Sequence, residues 1–125
     1  MSGEVIYVDR FEVAEGRVED FKRYAAELAT FVEENEPEVR SYHYYMDGDN
    51  GAGTAVFIFG NPEALDRHLD LVSTRFQEGY QLLRASDIEI LGRPSERAAA
   101  MAASFGGRVK ASIAGFDREG SLTGA

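Results

Sequence analysis

Two histidines and a group of tyrosines are the residues of this chain best suited to acid–base chemistry. His68 lies in NPEALDRHL, a stretch that opens a helix, and His43 lies in the tyrosine-rich stretch VRSYHYYMD. A histidine titrates near neutral pH and is a natural general base. A tyrosine hydroxyl can orient a ligand oxygen or donate to a developing oxyanion. Tyrosines are also common packing residues, so their positions must decide between the two roles.

The helix that carries His68 has clear start signals. Asn61 is a good N-cap and Pro62 suits the first helical position. An apolar stripe follows at helical spacing and contains Leu65, Leu69, Val72, Phe76 and Leu83. His68 falls about 60° from the centre of this stripe, with Arg75 on the same flank. This boundary position fits a side chain that reaches a ligand. It fits equally a histidine that bonds to backbone or water. At a boundary position, replacing His68 by alanine is expected to cost under ~1 kcal/mol, and to lower turnover at least tenfold if His68 acts on a substrate.

Apolar periodicity predicts six elements that position these residues. The predicted strands are 5–13, 39–47, 54–60 and 87–93, and the predicted helices are 17–36 and a segment from 61 that includes Leu83. The order βαββαβ predicts a ferredoxin-like α+β fold, an antiparallel sheet with two helices on one face. We expect this domain to span residues 1–94. Residues 95–125 are expected to add an alanine-rich helix, a segment that forms an edge strand or reaches a partner, and a frayed tail.

The strands predict that both faces of the sheet are covered. Strand 54–60 is apolar on both sides, and strand 5–13 adds Ile6 and Val8 to the face opposite Tyr7 and Phe11. Two helices cover only one face, so another surface must cover the second. We expect a homodimer in which the sheets of two copies pair. The alternative is that the C-terminal segment folds over this face.

Composition limits the classes of partner. The net charge of −9 argues against nucleic acid and against anionic membranes, and no apolar run is long enough to span a bilayer. Without cysteines there is no disulfide or thiolate site, which fits a cytoplasmic protein. The two histidines are distant in sequence, so no metal site is expected. The acidic residues around the end of the first helix are expected to form a solvated rim: Glu33, Glu34, Glu36 and Glu38.

Three stretches resemble the antibiotic biosynthesis monooxygenase family of dimeric α/β-barrel proteins: VAEGRVEDFKRYAAEL, EPEVRSYHYYMDGDN and AVFIFGNPEALDRHL. Glu63, Ala64, Leu65 and His68 match the family's "ealxxH" stretch, and the likeness covers about residues 4–93. Enzymes of this family oxidise quinol- or anthrone-like aromatics with O₂, without metal or flavin. This chain has no tryptophan and no asparagine in its first strand, so it does not match the haem-degrading relatives.

The resemblance implies a cofactor-independent, monooxygenase-like protein that oxidises a small aromatic phenol, quinol or anthrone. His68 would be the base or orienting group, and Tyr44 would hold the substrate oxygen. The expected substrate-binding residues are Tyr42, Phe57, Phe59, Val72, Arg75 and Phe76. His43 is expected at an interface or in the core, although alternation does not settle which face of the tyrosine-rich strand lines a pocket.

Two other functions fit the same residues. One is a non-catalytic dimeric protein that binds a small ligand or assists a pathway, which the missing tryptophan favours. The other is an isomerase or cyclase that acts on a polyketide-like intermediate, because a pocket with a base serves proton transfer equally well. For the aromatic residues, plain core packing is the alternative that their spacing favours.

Overall fold

The computed structural model describes residues 3–48 and 50–118. Its elements in chain order are β1 (Val5–Val13), α1 (Val18–Asn35), β2 (Val39–Met46), β3 (Ala52–Phe59), α2 (Pro62–Arg75), α3 (Gly79–Leu82), β4 (Leu83–Leu91), α4 (Glu96–Ser104) and β5 (Arg108–Lys110). They form one open sheet of order β2-β3-β1-β4-β5. The first four strands pair antiparallel, and β5 pairs parallel to β4. The predicted ferredoxin-like α+β fold is confirmed.

Helices α1 and α2 pack on the same face of the sheet. The apolar stripe of α1 is buried as predicted, at Phe21, Ala25, Leu28 and Val32. Asn61 caps α2, since its side chain accepts a hydrogen bond from the Ala64 backbone N–H at 2.8 Å. Local sequence therefore sets where α2 begins and which side of α1 faces the core.

Helix α2 is shorter than the stripe predicted, because it ends at Arg75 and Leu83 belongs to β4. The Tyr24 hydroxyl donates a hydrogen bond to the Phe76 carbonyl at 3.1 Å. If α2 continued, that carbonyl would instead accept a hydrogen bond from a backbone N–H one turn further on. Gly79 follows, where an added Cβ would collide with the Tyr24 ring. Strand β4 accordingly starts four residues before the predicted 87.

The C-terminal segment packs on the helical side of the sheet. Ala98 and Ala102 of α4 are fully buried in the same core cluster as α1 and α2. The described part of this segment therefore leaves the opposite face uncovered, contrary to the alternative in which it folds over that face. Ile113 and Phe116 are exposed beyond β5. The predicted frayed tail falls mostly on residues 119–125, outside the described residues.

The face of the sheet opposite the helices is apolar at its centre. Ile6 pairs with Ile58, and Val8 pairs with Val56. Beside them the carboxylate of Glu89 contacts three cationic side chains: Arg10, Arg108 and Lys110. Within residues 3–48 and 50–118, no helix is long and apolar enough to cross a membrane.

Candidate active site

A cavity of about 850 Å³ lies between the sheet and the helices. Its walls include Phe21, Tyr24 and Leu28 from α1, His68, Leu69 and Val72 from α2, Met101 and Phe105 from the end of α4, and Tyr7, Asp9, Tyr42, Tyr44, Ala55, Phe57 and Ile88 from the sheet. Most of these side chains are apolar or aromatic, as is typical of pockets for small organic ligands.

Strand register places Tyr42 and Tyr44 on the cavity side of the sheet. Tyr44 pairs with Ala55, and Tyr42 pairs with Phe57. The Tyr42 and Phe57 rings stack with centroids 3.8 Å apart and planes 11° from parallel. His43 and Tyr45 point to the opposite face, where both are exposed. The face of β2 that carries Tyr42 and Tyr44 therefore lines the cavity, a point that sequence alternation did not settle. His43 lies on the uncovered face.

His68 is buried, with an exposed fraction of 3%. Its Nδ1 lies 3.1 and 3.2 Å from the two carboxylate oxygens of Glu36. Its Nε2 lies 3.3 Å from the Tyr42 hydroxyl, which lies 3.3 Å from the Tyr44 hydroxyl. A chain of four polar side chains therefore runs from the end of α1, through α2 and β2, to the cavity. We call Glu36, His68, Tyr42 and Tyr44 the polar relay.

The predicted boundary position of His68 is wrong. The buried side chains of α2 are Ala64, Leu65 and His68, an arc that is centred on the histidine. The sequence-based stripe was shifted away from it, because Phe76 caps the helix and Leu83 lies in β4. For a buried histidine with two hydrogen-bond partners, we expect alanine replacement to cost about 1–3 kcal/mol rather than under 1.

The predicted solvated rim is wrong for one of its four carboxylates. Glu33, Glu34 and Glu38 are exposed, but Glu36 is 4% exposed. Glu36 follows the buried Val32 by four residues and so continues the core stripe of α1. That spacing is a signal in the sequence, and the acidic neighbours obscured it.

The relay has a definite direction when the imidazole of His68 is neutral. An ionised carboxylate only accepts hydrogen bonds, so Nδ1 carries the hydrogen that faces Glu36 and Nε2 is left as an acceptor. The Tyr42 hydroxyl then donates to Nε2, and the Tyr44 hydroxyl donates to the Tyr42 oxygen. The remaining lone pairs of the Tyr44 oxygen can accept a proton or a hydrogen bond from a ligand. The relay thus presents an acceptor to the cavity.

Four of the tyrosines that line the cavity are held in the neutral phenol form. Burial raises the pKa of Tyr42 well above its usual value, and the neighbouring Tyr44 raises it further. Burial likewise raises the pKa of Tyr44, of Tyr7 and of Tyr24. The phenols of Tyr42 and Tyr44 can therefore relay a proton along their hydrogen bonds without holding a stable charge themselves.

Asp9 is a polar residue of the cavity that the sequence patterns did not predict. It lies on β1 and lines the cavity, and the Ser86 hydroxyl donates a hydrogen bond to its Oδ1 at 2.6 Å. Burial raises the pKa of Asp9, although the hydrogen bonds from Ser86 and the Asp87 backbone oppose that shift. Alternation along β1 puts Asp9 on the same face as Tyr7 and Phe11, and this pattern in the sequence could have predicted its place in the cavity.

The other expected site residues divide into two groups. Phe57 and Val72 line the cavity. Phe59 does not, because it is fully buried behind His68, with ring centroids 5.4 Å apart. Phe76 packs against Tyr24 and Phe31 instead. Arg75 is exposed, and its guanidinium lies 5.0 Å from the Phe31 ring centroid. In the described ranges, no three His, Asp or Glu residues are grouped to hold a metal ion.

Several solved structures share this architecture. MupZ from Pseudomonas fluorescens matches with a TM-score of 0.79 and 20% identity, over 93% of this chain and 95% of its own. A putative antibiotic biosynthesis monooxygenase from Caulobacter crescentus matches with a TM-score of 0.65 and 20% identity, over 75% of this chain and 92% of its own. SnoaB from Streptomyces nogalater, a cofactor-independent oxygenase, matches with a TM-score of 0.63 and 20% identity, over 75% of this chain and 96% of its own.

The fold is that of the antibiotic biosynthesis monooxygenases. The family resemblance seen in the sequence is thus confirmed at the level of the fold. No protein-family model matches the chain, and no curated protein matches its sequence. A shared fold hosts many reactions, so the function must be argued from the cavity.

The contact between Glu36 and His68 predicts a stability difference between two neighbouring glutamates. Glu36→Ala should lower the free energy of unfolding by about 1–3 kcal/mol, because it leaves the buried Nδ1–H of His68 without an acceptor. Glu34→Ala, at an exposed position of the same helix, should change it by less than about 0.5 kcal/mol. Urea unfolding measures both. Equal effects for the two variants would contradict the buried contact.

Asp9 is predicted to destabilise the folded protein when it is ionised. Its folded pKa lies above the unfolded value, so stability falls as pH rises from the unfolded pKa of about 3.9 through the raised folded pKa. Asp9→Asn should therefore unfold at a higher temperature than the native protein at pH 7, and the gap should close as pH falls toward 4. Glu15→Gln, an exposed charge change two residues beyond the same strand, serves as the control in thermal unfolding. A less stable Asp9→Asn at pH 7 would refute this cost.

Proposed function

We propose that the protein is a cofactor-independent monooxygenase that oxidises a small aromatic phenol, quinol or anthrone with O₂. The observation that carries this proposal is the polar relay, which ends at Tyr44 in a cavity whose walls are mostly apolar or aromatic. The shared fold of SnoaB and the monooxygenase-like structures supports it.

The first step assigned to the relay is removal of a proton from the substrate. Tyr44 accepts the proton as it passes its own to Tyr42, and Tyr42 passes its proton to Nε2 of His68. The resulting imidazolium lies against the Glu36 carboxylate, whose negative charge stabilises it. His68 is thus the final base, and Tyr42 and Tyr44 carry the proton to it.

Deprotonation makes the aromatic ring electron-rich enough to reduce O₂ directly. One electron passes to O₂, and the superoxide and substrate radical combine in a C–O bond to form a peroxide. For a ring C–H beside a hydroxyl group of a quinol, or for an anthrone-type CH₂, protonation and loss of water from the peroxide leave C=O. That water takes one oxygen atom and two hydrogens, and the second oxygen atom stays in the product. The buried rings around the relay favour this sequence by excluding solvent.

A second function, isomerisation or cyclisation of a reactive ketone, uses the same proton transfer without O₂. The acid–base groups of the cavity favour it as strongly as they favour oxygenation, because none of them is specific for oxygen. Dependence of turnover on O₂ separates the two reactions. Tight binding of an aromatic ligand without any turnover would instead indicate the non-catalytic role.

Tyr44→Phe should lower protein-dependent O₂ uptake at least tenfold, because it breaks the relay where it meets the substrate. The assay offers hydroquinones, naphthoquinols and anthrones to metal-stripped protein and subtracts spontaneous oxidation. Tyr45→Phe removes a hydroxyl from the next residue, on the opposite and exposed face, and should keep the native rate. Native uptake by Tyr44→Phe would remove Tyr44 from the mechanism. Absence of uptake by the native protein across all these compounds would count against the oxygenase.

We further propose that a second copy of the chain covers the open face of the sheet. Ile6, Val8, Val56 and Ile58 form a continuous apolar area there, and every helix of the described residues packs on the other side. A second sheet of the same composition would bury this area symmetrically, as a twofold interface requires. Exposed Ile113 and Phe116 supply further apolar surface for a partner.

This arrangement predicts a dimer that a single charge disrupts. Sedimentation equilibrium should give twice the chain mass for the native protein. Val56→Glu should shift the mass toward the monomer, because it places a charge at the centre of the interface. Ala26→Glu, on the exposed side of α1, should remain dimeric. A monomeric native protein would exclude the interface directly.

A further inference from the structure

The cavity has a second polar side, opposite the end of the polar relay. Asp9 and Tyr44 both pair with Ala55, one from β1 and the other from β2. The three residues therefore form a row across the sheet, with the small methyl group of Ala55 between the two polar side chains. Neighbouring strands lie about 4.8 Å apart, which separates the Cα atoms of Asp9 and Tyr44 by roughly 10 Å. That spacing leaves room for an aromatic ring above Ala55.

The two polar sides have the same hydrogen-bonding character. The Tyr44 oxygen is an acceptor toward the cavity when its hydroxyl donates to Tyr42. Asp9 in its ionised form has only acceptors, and the hydrogen bonds from Ser86 and the Asp87 backbone use part of their capacity. The remaining lone pairs of the carboxylate are available to a donor in the cavity. Asp9 is half-buried, and none of the ion pairs among the described residues involves it, so such a donor would stabilise its charge.

We propose that Asp9 is a second ligand-recognition residue, which accepts a hydrogen bond from a hydroxyl group on the side of the ligand opposite Tyr44. The cavity thereby selects an aromatic compound with hydroxyl groups on two sides of its ring. A compound with a hydroxyl on one side and an ether or carbonyl oxygen on the other binds less well, because that oxygen and the protein group facing it are both hydrogen-bond acceptors. This inference rests on the proposed function, because it takes the small aromatic ligand from there.

The alternative is that Asp9 only holds two strands together. The hydrogen bond that Asp9 accepts from Ser86 joins β1 to β4, and an Asp9 with that role alone would not distinguish between ligands. Asp9→Asn separates the two roles. The asparagine side chain keeps an oxygen that accepts from Ser86, but its N–H₂ group donates toward the cavity. The variant therefore keeps the link between strands and changes what the cavity presents to the ligand.

The test compares naphthalene-1,4-diol with 4-methoxynaphthalen-1-ol, which replaces one hydroxyl by a methyl ether. Calorimetric titration under argon, with dithionite to keep the diol reduced, measures binding with no oxidation step. The native protein should bind the diol at least tenfold more tightly than the ether. Asp9→Asn should abolish or reverse that preference, because the amide can donate to the ether oxygen. Glu15→Gln, an exposed charge change two residues beyond the same strand, should keep the native ratio.

Equal binding of the two compounds by the native protein, or a native ratio in Asp9→Asn, would overturn the role of Asp9. These outcomes are independent of oxygenation. A native protein that prefers the diol through Asp9 but consumes no O₂ would support this recognition and refute the oxygenase. A protein that consumes O₂ yet binds both compounds equally would support the oxygenase and refute this recognition.

Discussion

The buried contact between the Glu36 carboxylate and the His68 ring is the interaction on which the candidate site depends. A carboxylate in the core is costly unless it is paired, and His68 is its hydrogen-bond partner here. The contact joins the end of α1 to α2, and the Tyr42 hydroxyl extends it to β2. It also determines which imidazole nitrogen is available, because the hydrogen on Nδ1 faces the carboxylate. The direction of the whole relay follows from this one contact.

The aromatic residues around the contact give it its chemical setting. The rings of Phe57 and Phe59 lie 5.9 and 5.4 Å from the imidazole, and Phe57 stacks on Tyr42. Such packing excludes water from the inner part of the relay and raises the pKa of the phenols, which suits the relay to passing protons rather than storing charge. Tyr44 and Asp9 place polar groups on two sides of the cavity, which Arg84 and Arg97 also line.

The two faces of the sheet have different surroundings. One carries the cavity, and α4 completes the wall that α1 and α2 leave incomplete, through Met101 and Phe105. The other carries an apolar centre and the carboxylate of Glu89 with its cationic neighbours. A dimer through that second face would leave both cavities on the outer, helical sides of the paired sheets. Ligand binding and assembly would then use separate surfaces of one small domain.

Local patterns in the sequence determined the order of the elements, the core stripe of α1, the N-terminal cap of α2 and the prominence of His68 and Tyr44. These features depend on residues within a few positions of each other, where periodicity and capping are decisive. Glu36 and His68 are 32 residues apart, and four glutamates near the end of α1 look alike until packing buries one of them. Asp9 became a cavity residue through strand register, and α2 ended early through a contact with Tyr24 from α1. Only the tertiary structure decided these three features, because each depends on which residues distant in the sequence pack together in the core.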